Sequence, residues 1–256
     1  MREPLGPAAI RELLGLVPDE PRWVDCRGLL LSGRCRVWSE DDPARGFVAR
    51  ALDEPFAAVW GEPAEGALRA AVERSGSLTD VLVAAGPGAE RVAKALPGWR
   101  PQRVFFHVLP GEPPAIEPPE GADVAMLAPE APPAAPDLAG LPPALRAEVG
   151  SLLARVQPLV AARVPPGGTG RIASVCSAAL ETETLWDVSI ETVPGHRRRG
   201  LAAACFSALA RWMAAERGKR PVWGAHETNP PSLALAERLG FVRDSELLTF
   251  QRAGRS

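Results

Sequence analysis

The chain has 256 residues, with 29 Lys and Arg against 31 Asp and Glu for a net charge of −2, and an apolar fraction of 46%. These values describe an ordinary globular protein and exclude disordered, collagenous and strongly charged classes. A chain of this length can bury a sizeable apolar core without disulfides or a structural metal.

Cys26, Cys35, Cys176 and Cys205 form no C-x-x-C pair and have no His at zinc-finger spacing, so reduced thiols, a cytoplasmic location and no metal are expected. Met1-Arg2-Glu3-Pro4 lacks the basic-then-apolar pattern of a secretory signal, and no stretch approaches the ~18 apolar residues of a membrane span, so no membrane partner is expected. The near-neutral balance argues against a surface built for nucleic acid. There are 28 Pro and no Tyr, and the missing tyrosine is a chemical constraint.

In chain order, Ile10, Leu13 and Leu14 predict a helix from Pro7 to Leu16, followed by strands at Gly28 to Leu31 and Cys35 to Trp38. Phe56 to Trp60 reads as a strand, Glu65 to Arg74 as a helix, Asp80 to Ala84 as a buried strand, Ala89 to Leu96 as a helix and Arg103 to Leu109 as a strand. That alternation implies an α/β unit. From Pro110 to Pro143 the paired prolines Pro113-Pro114, Pro118-Pro119, Pro132-Pro133 and Pro142-Pro143 mark a linker, and the domain boundary is placed near Glu120.

Beyond it, Leu141 to Val156 reads as a helix. Leu159 to Val164 and Arg171 to Leu180 read as a hairpin around Pro165-Pro166-Gly167-Gly168, and Leu185 to Val193 as the next strand. Then come Pro194-Gly195-His196-Arg197-Arg198-Arg199-Gly200 and an amphipathic helix from Leu201 to about Glu216. Pro221 to Ala225 makes a short strand. Asn229-Pro230-Pro231-Ser232 opens a helix stopped by Gly240, and Glu246 to Phe250 is the last strand.

The loop Arg197-Arg198-Arg199-Gly200-Leu201-Ala202 leaves a strand and enters a helix. Its backbone N–H groups and the positive end of the helix dipole converge where arginines supply charge, which suits an anion such as a pyrophosphate. Gly200 removes the Cβ where backbone must approach phosphate oxygens, and Ala202 keeps the first turn open. A solvated basic turn is the plain alternative.

Arg-x-x-Gly-x-Ala after a strand ending in Val193-Pro194 resembles the acyl-CoA pyrophosphate loop of the GNAT superfamily of N-acetyltransferases. Downstream, Asn229-x-x-Ser232 leading to Ala236-Glu237-Arg238-Leu239-Gly240-Phe241 is similar to the ending of that superfamily. The resemblance covers about Leu159 to Phe250, and Asp187-Val188-Ser189-Ile190-Glu191-Thr192 also looks like a two-part subgroup with an extra N-terminal domain.

What it implies is an α/β (α+β) fold. The C-terminal GNAT domain, 121–256, has a mixed, splayed sheet flanked by helices, and a smaller N-terminal α/β domain, 1–120, has a diverged GNAT-like fold or a separate one. It further implies acetyl-CoA as co-substrate without a metal. Ile190, Thr192 and Val193 would offer backbone groups to the pantetheine and thioester, Arg197, Arg198, Arg199, Gly200, Leu201 and Ala202 would hold the pyrophosphate, and Asn229 and Ser232 would contact the cofactor.

The implied reaction is direct attack of a primary amine on acetyl-CoA, which needs a route for the ammonium proton and a donor for the leaving thiolate. Asp187 and Glu191 share one face of their strand, so either could take the proton, or both could be ordinary carboxylates. Many family members carry Tyr where this chain has Ala236; Ser232, His226, Cys176 or a water are the candidate substitutes, and the low basicity of a thiolate is the case for needing none. The acceptor is left open between small-molecule and peptide amines, and a second copy of the chain is a further candidate partner. A non-catalytic acyl-CoA-binding or regulatory module is the alternative reading, and the arginine cluster as a nucleic-acid patch a third.

Weaker signals have plain readings: Gly86-Pro87-Gly88 as a structural turn, Glu40-Asp41-Asp42 as a solvated cluster, and Trp23, Trp38, Trp60, Trp99 and His107 as packed residues.

Overall fold

The computed structural model describes residues 4–40, 42–73, 79–127, 138, 141–166 and 170–252. Parts of the linker, the Gly167-Gly168 turn, Asp41, Arg74 and the first three residues lie outside that set. In chain order the elements are α1 (Pro7–Leu13), α2 (Val24–Ser32), β1 (Cys35–Trp38), β2 (Gly46–Ala51), β3 (Phe56–Gly61), α3 (Glu65–Glu73), β4 (Asp80–Ala84), α4 (Pro87–Ala95) and β5 (Trp99–Val108). There follow β6 (Asp123–Met126), α5 (Pro143–Ala154), β7 (Leu159–Val164), β8 (Arg171–Glu181), β9 (Leu185–Thr192), α6 (Leu201–Arg217), β10 (Arg220–His226), α7 (Pro230–Arg238) and β11 (Val242–Arg252).

The strands join one mixed sheet in the order β1-β2-β3-β4-β11-β5-β10-β9-β8-β7-β6. Two similar units face each other in it. In the first, β3 and β4 are parallel and joined through α3, followed by α4 and β5; in the second, β9 and β10 are parallel and joined through α6, followed by α7 and β11. The closing strands are exchanged: β11 sits between β4 and β5, and β5 sits between β11 and β10. The long β5–β11 ladder therefore welds the two units into one sheet, with helices covering both faces as in other α/β layers.

Both flanking layers follow from apolar periodicity. Leu68 of α3 and Val92 of α4 pack with Trp38, Val59 and Val83 on one face of the first unit, while Leu13 and Leu29 pack with Phe47 on the other. In the second unit α6 buries Cys205, Phe206, Leu209 and Met213 against Trp186 and Trp223, and α5 covers the opposite face through Leu145 and Val149. Phe206 is the hub, with ring centroids 6.3 Å from Trp186, 5.8 Å from Trp223 and 5.3 Å from Phe241. Truncating it empties a close-packed site that cannot fully collapse, so Phe206→Ala is expected to cost about 3–5 kcal/mol in denaturant unfolding. A loss under about 1 kcal/mol would show that this cluster does not hold the sheet to α6.

The structure corrects part of the sequence reading. Gly28 to Leu31 is helical within α2, since a short apolar run has no period that separates helix from strand. Gly28 lets α2 lie close on the sheet: a Cβ there would come 2.9 Å from Leu180 Cβ. The first helix ends at Leu13, β2 adds a strand the sequence reading left out, and the proline-rich stretch contains β6, paired antiparallel with β7. Conversely, α7 starts as expected, with the Asn229 side chain accepting from the Ser232 N–H and prolines in the first turn.

Candidate active site

The site is built at a fork between β9 and β10. Their parallel ladder pairs Arg220 with Leu185, Pro221 with Trp186 and Val222 with Asp187, and goes no further, although β9 runs on to Thr192 and β10 to His226. On its other side β9 continues to pair with β8, and the Val193 N–H to Ala173 carbonyl bond (2.9 Å) sets the phase of that ladder. Backbone groups alternate between neighbours in an antiparallel ladder, so Ile190 and Thr192 turn theirs toward the open gap. The Thr192 carbonyl is taken by Arg197 Nε at 3.1 Å, leaving the Ile190 N–H and carbonyl and the Thr192 N–H facing the gap.

Beyond β9 the chain makes the basic loop. Arg198 is left-handed at φ 61°, and Gly200 at φ 83° caps α6 without a side-chain partner. Among the described residues, no acceptor takes the backbone N–H groups of residues 198 to 203, so unpaired donors gather at the positive end of a seventeen-residue helix. That loop, β9 and α7 enclose a cleft of about 860 Å³. Ile190, Thr192, Arg197, Arg198, Gly200, Leu201, Ala202, Asn229 and Ser232 all line it, joined by Arg238, which the sequence reading missed.

Two of the expected cofactor contacts fall outside that cleft. Both backbone groups of Val193 are used, by Ala173 and by the His196 N–H, and Arg199 turns its guanidinium to His196 Nδ1 at 3.0 Å. Of the three candidate catalytic residues, Ser232 and Glu191 share the cleft and Asp187 lies apart from them. Ser232 lies in the cleft, its Oγ accepting from Trp223 Nε1 at 3.0 Å, which leaves its own hydrogen free to be donated. Glu191 is exposed and pairs with Arg197 at 3.2 Å.

Asp187 stands at the last ladder pair and points to the opposite face, into a second cavity of about 200 Å³. Asp25, Phe56, Asp80, Phe106, Gly224 and His226 share its lining. Enclosure by protein pushes the Asp187 carboxyl well up, and the charges of Asp25 and Glu54 add to this. Asp25, held over the sheet by α2, is pushed up to about 7 by burial and then by Glu54. Glu54 has Arg155 at 3.4 Å; Asp25 has no ion pair among the described residues.

A carboxyl raised in the folded state binds more protons there than when unfolded, so its stability contribution is present at low pH and falls between its ordinary value of 3.8 and about 7. Asp25→Asn removes that penalty. The variant is expected to gain thermal stability over the parent at pH 8 and to show little gain at pH 4; an equal shift at both would place the Asp25 carboxyl outside this linkage.

Cys176 is buried and its thiol raised far above the ordinary value by burial, which makes it a packing residue. His107 Nδ1 lies 3.2 Å from the Trp223 carbonyl. Gly88 seats α4 against β3, where a Cβ would meet the Gly61 carbonyl oxygen at 2.5 Å, so Gly86-Pro87-Gly88 is a structural turn. Among the described residues no cluster could hold a metal, and no helix is long and apolar enough to cross a membrane.

The first unit lacks the same site. Between β3 and α3 it carries Glu62-Pro63-Ala64 where the second unit carries arginines, Glu62 pairs with Arg91 at 3.2 Å, and the β3–β4 ladder stays closed to Val59–Val83.

A splayed parallel pair feeding a basic loop and a helix N-terminus is the architecture of an acyl-CoA-binding fold. Residues 168–250 match the family model described as GNAT acetyltransferase, so the C-terminal half carries a GNAT acetyltransferase domain. Over its whole length the chain is similar to the solved structure of a GCN5-related N-acetyltransferase-like protein from Streptococcus suis, with a TM-score of 0.66, 19% identity and 96% of this chain and 99% of that one covered. A tandem GNAT protein from the clavulanic acid biosynthesis pathway gives a TM-score of 0.62 at 16% identity, covering 99% and 98%. A GCN5-related N-acetyltransferase from Kribbella flavida gives 0.57 at 17%, covering 91% and 95%. The fold is thus the two-part GNAT fold, with the C-terminal half as one GNAT unit. No curated protein matches the chain.

Proposed function

We propose that the protein transfers the acetyl group of acetyl-CoA to a primary amine, with residues 121–256 as the catalytic GNAT domain and residues 1–120 completing the acceptor side. The observation that carries this reading is the fork. A cleft with unpaired strand groups and free loop N–H donors lies on one face, and a half-buried carboxylate lies at the same gap on the other.

Acetyl-CoA, when bound, supplies the acetyl group as a thioester that an amine can attack directly. The residues for binding it fit: Arg197, Arg198 and the N–H groups of Gly200, Leu201 and Ala202 suit the pyrophosphate, Ile190 and Thr192 can pair with the pantetheine as an added strand would, and Asn229 and Ser232 close the cleft. Asp187 takes the proton from the acceptor ammonium, and burial, with the charges of Asp25 and Glu54, makes it a stronger base than an ordinary carboxylate. Ser232 is placed to donate to the departing thiolate in place of the absent tyrosine; Ala236, at the family's tyrosine position, is fully buried.

The test is amine-dependent release of free thiol from acetyl-CoA. Tight CoA binding with no acceptor-dependent release would favour the non-catalytic acyl-CoA-binding module, the reading that the absence of tyrosine supports.

A further inference from the structure

The arginines around the cleft are not equivalent. Arg197 is held by the Glu191 carboxylate and the Thr192 carbonyl, and Arg199 by His196 Nδ1. Arg198 and Arg238 line the cleft, and among the described residues neither has a hydrogen bond or an ion pair. Arg198 belongs to the basic loop, whereas Arg238 comes from another wall, in the last turn of α7.

The packing of α7 decides where Arg238 stands. Pro231, Leu235 and Arg238 follow one another at i, i+4 and i+7, so they form one stripe of the helix, and all three line the cleft. At the start of α7, Ser232 is tied to Trp223 of β10, beside the fork. Past its end, Phe241 packs on Phe206 with ring centroids 5.3 Å apart, which brings the end of α7 against the second turn of α6. Between Ser232 and Arg238 the helix rises about 9 Å. The cleft therefore runs along α7 from the fork to the beginning of α6, and Arg238 adds a cation at that end from outside the loop.

The loop already supplies what a pyrophosphate needs, Arg198 together with the unpaired N–H groups at the start of α6. The nucleotide end of CoA carries a second, separate anion, the phosphate on the ribose 3′ oxygen. A guanidinium presents a planar fork of donors that can take two oxygens of such a group at once, and the exposed position of Arg238 leaves that fork accessible. We infer that Arg238 binds the 3′-phosphate and so selects a donor of the full CoA type over pantetheine carried on a single phosphate, as on a carrier protein. The inference rests on the acetyl-CoA reading proposed above and adds to it a donor-selecting residue outside the loop.

Calorimetric titration of the full chain with CoA and with 3′-dephospho-CoA tests it. Loss of one charge-assisted contact corresponds to about a tenfold change, so CoA is expected to bind about ten times more tightly than dephospho-CoA. In Arg238→Gln that ratio should fall toward one through weaker CoA binding alone, with dephospho-CoA affinity within about twofold of the parent, which also shows that the variant is folded. Arg238→Lys keeps the charge and loses the fork, so its ratio should lie between the two. Arg211→Gln, which removes an exposed cation of α6 outside the cleft lining, should keep the parent ratio. Equal affinities in the parent protein, a ratio that survives Arg238→Gln, or an equal fall in Arg211→Gln would each overturn the assignment, leave Arg238 as a cation at a helix end and leave the acetyl-CoA reading standing. Binding of neither nucleotide would reject that reading, and the role of Arg238 with it.

Discussion

Asp187→Asn should reduce amine-dependent turnover by about 100- to 10,000-fold, the usual range for loss of a general base, and leave CoA affinity unchanged. The separation follows from the sheet: side chains alternate between faces, so Asp187 projects toward α2 while the cleft is lined by Ile190 and Thr192 from the other face. Asparagine keeps the shape and removes only the proton acceptor.

The pH profile supplies a second readout. The base works deprotonated, so the parent's kcat/KM should rise with pH through the raised range of Asp187, and that rise should be absent from the variant. Asp25→Asn, by removing a neighbouring negative charge, should shift the same rise to lower pH. Turnover of Asp187→Asn within about twofold of the parent would remove Asp187 from the chemistry, and Glu191, paired with Arg197 on the surface, would have to be tested instead.

What could be read from sequence was what is local. The strand, the loop from Arg197 to Ala202 and the helix after it are contiguous, and Asn229 to Phe241 is a second contiguous unit, so most of the cleft follows from two short stretches. The resemblance implies a cofactor contact at Val193, yet its N–H is turned to β8 and its carbonyl to the His196 N–H, a fact fixed by ladder phase and the following turn rather than by residue type. Arg238 was missed because only the packing of α7 turns it toward the loop.

The cavity on the other face of the sheet was not legible at all, apart from Asp187 itself. Asp25 and Asp187 are far apart in the chain and share one cavity only because α2 crosses onto the second unit. Arg27 binds both oxygens of Glu183 at 2.7 Å, and Asp19 accepts from Thr182 and Thr184, pinning the segment before α2 to the β8–β9 turn. Reading Gly28 to Leu31 as a strand hid this arrangement, since it removed the helix that brings Asp25 over the fork.

The largest expected effect on cofactor binding belongs to the loop. Arg198→Ala combined with Gly200→Glu should weaken CoA binding on the order of 100-fold or more, about 2.7 kcal/mol, in a calorimetric titration. One change removes a cation from the cleft and the other sets a carboxylate among donors that await an anion. The backbone contributes separately, because Gly200 sits at φ 83°, where any side chain is strained even though a Cβ would meet nothing within 4 Å. Gly200→Ala isolates that strain: it should lower thermal stability slightly and change CoA affinity far less than the double variant does.

The parent protein should saturate at one CoA per chain, since the corresponding loop of the first unit carries Glu62 and its strands remain paired. Its affinity should fall with added salt, as expected for an exposed phosphate site. Equal affinity of the double variant and the parent would show that the arginine loop is only a solvated turn, and the acyl carrier would then have to be sought elsewhere on the sheet.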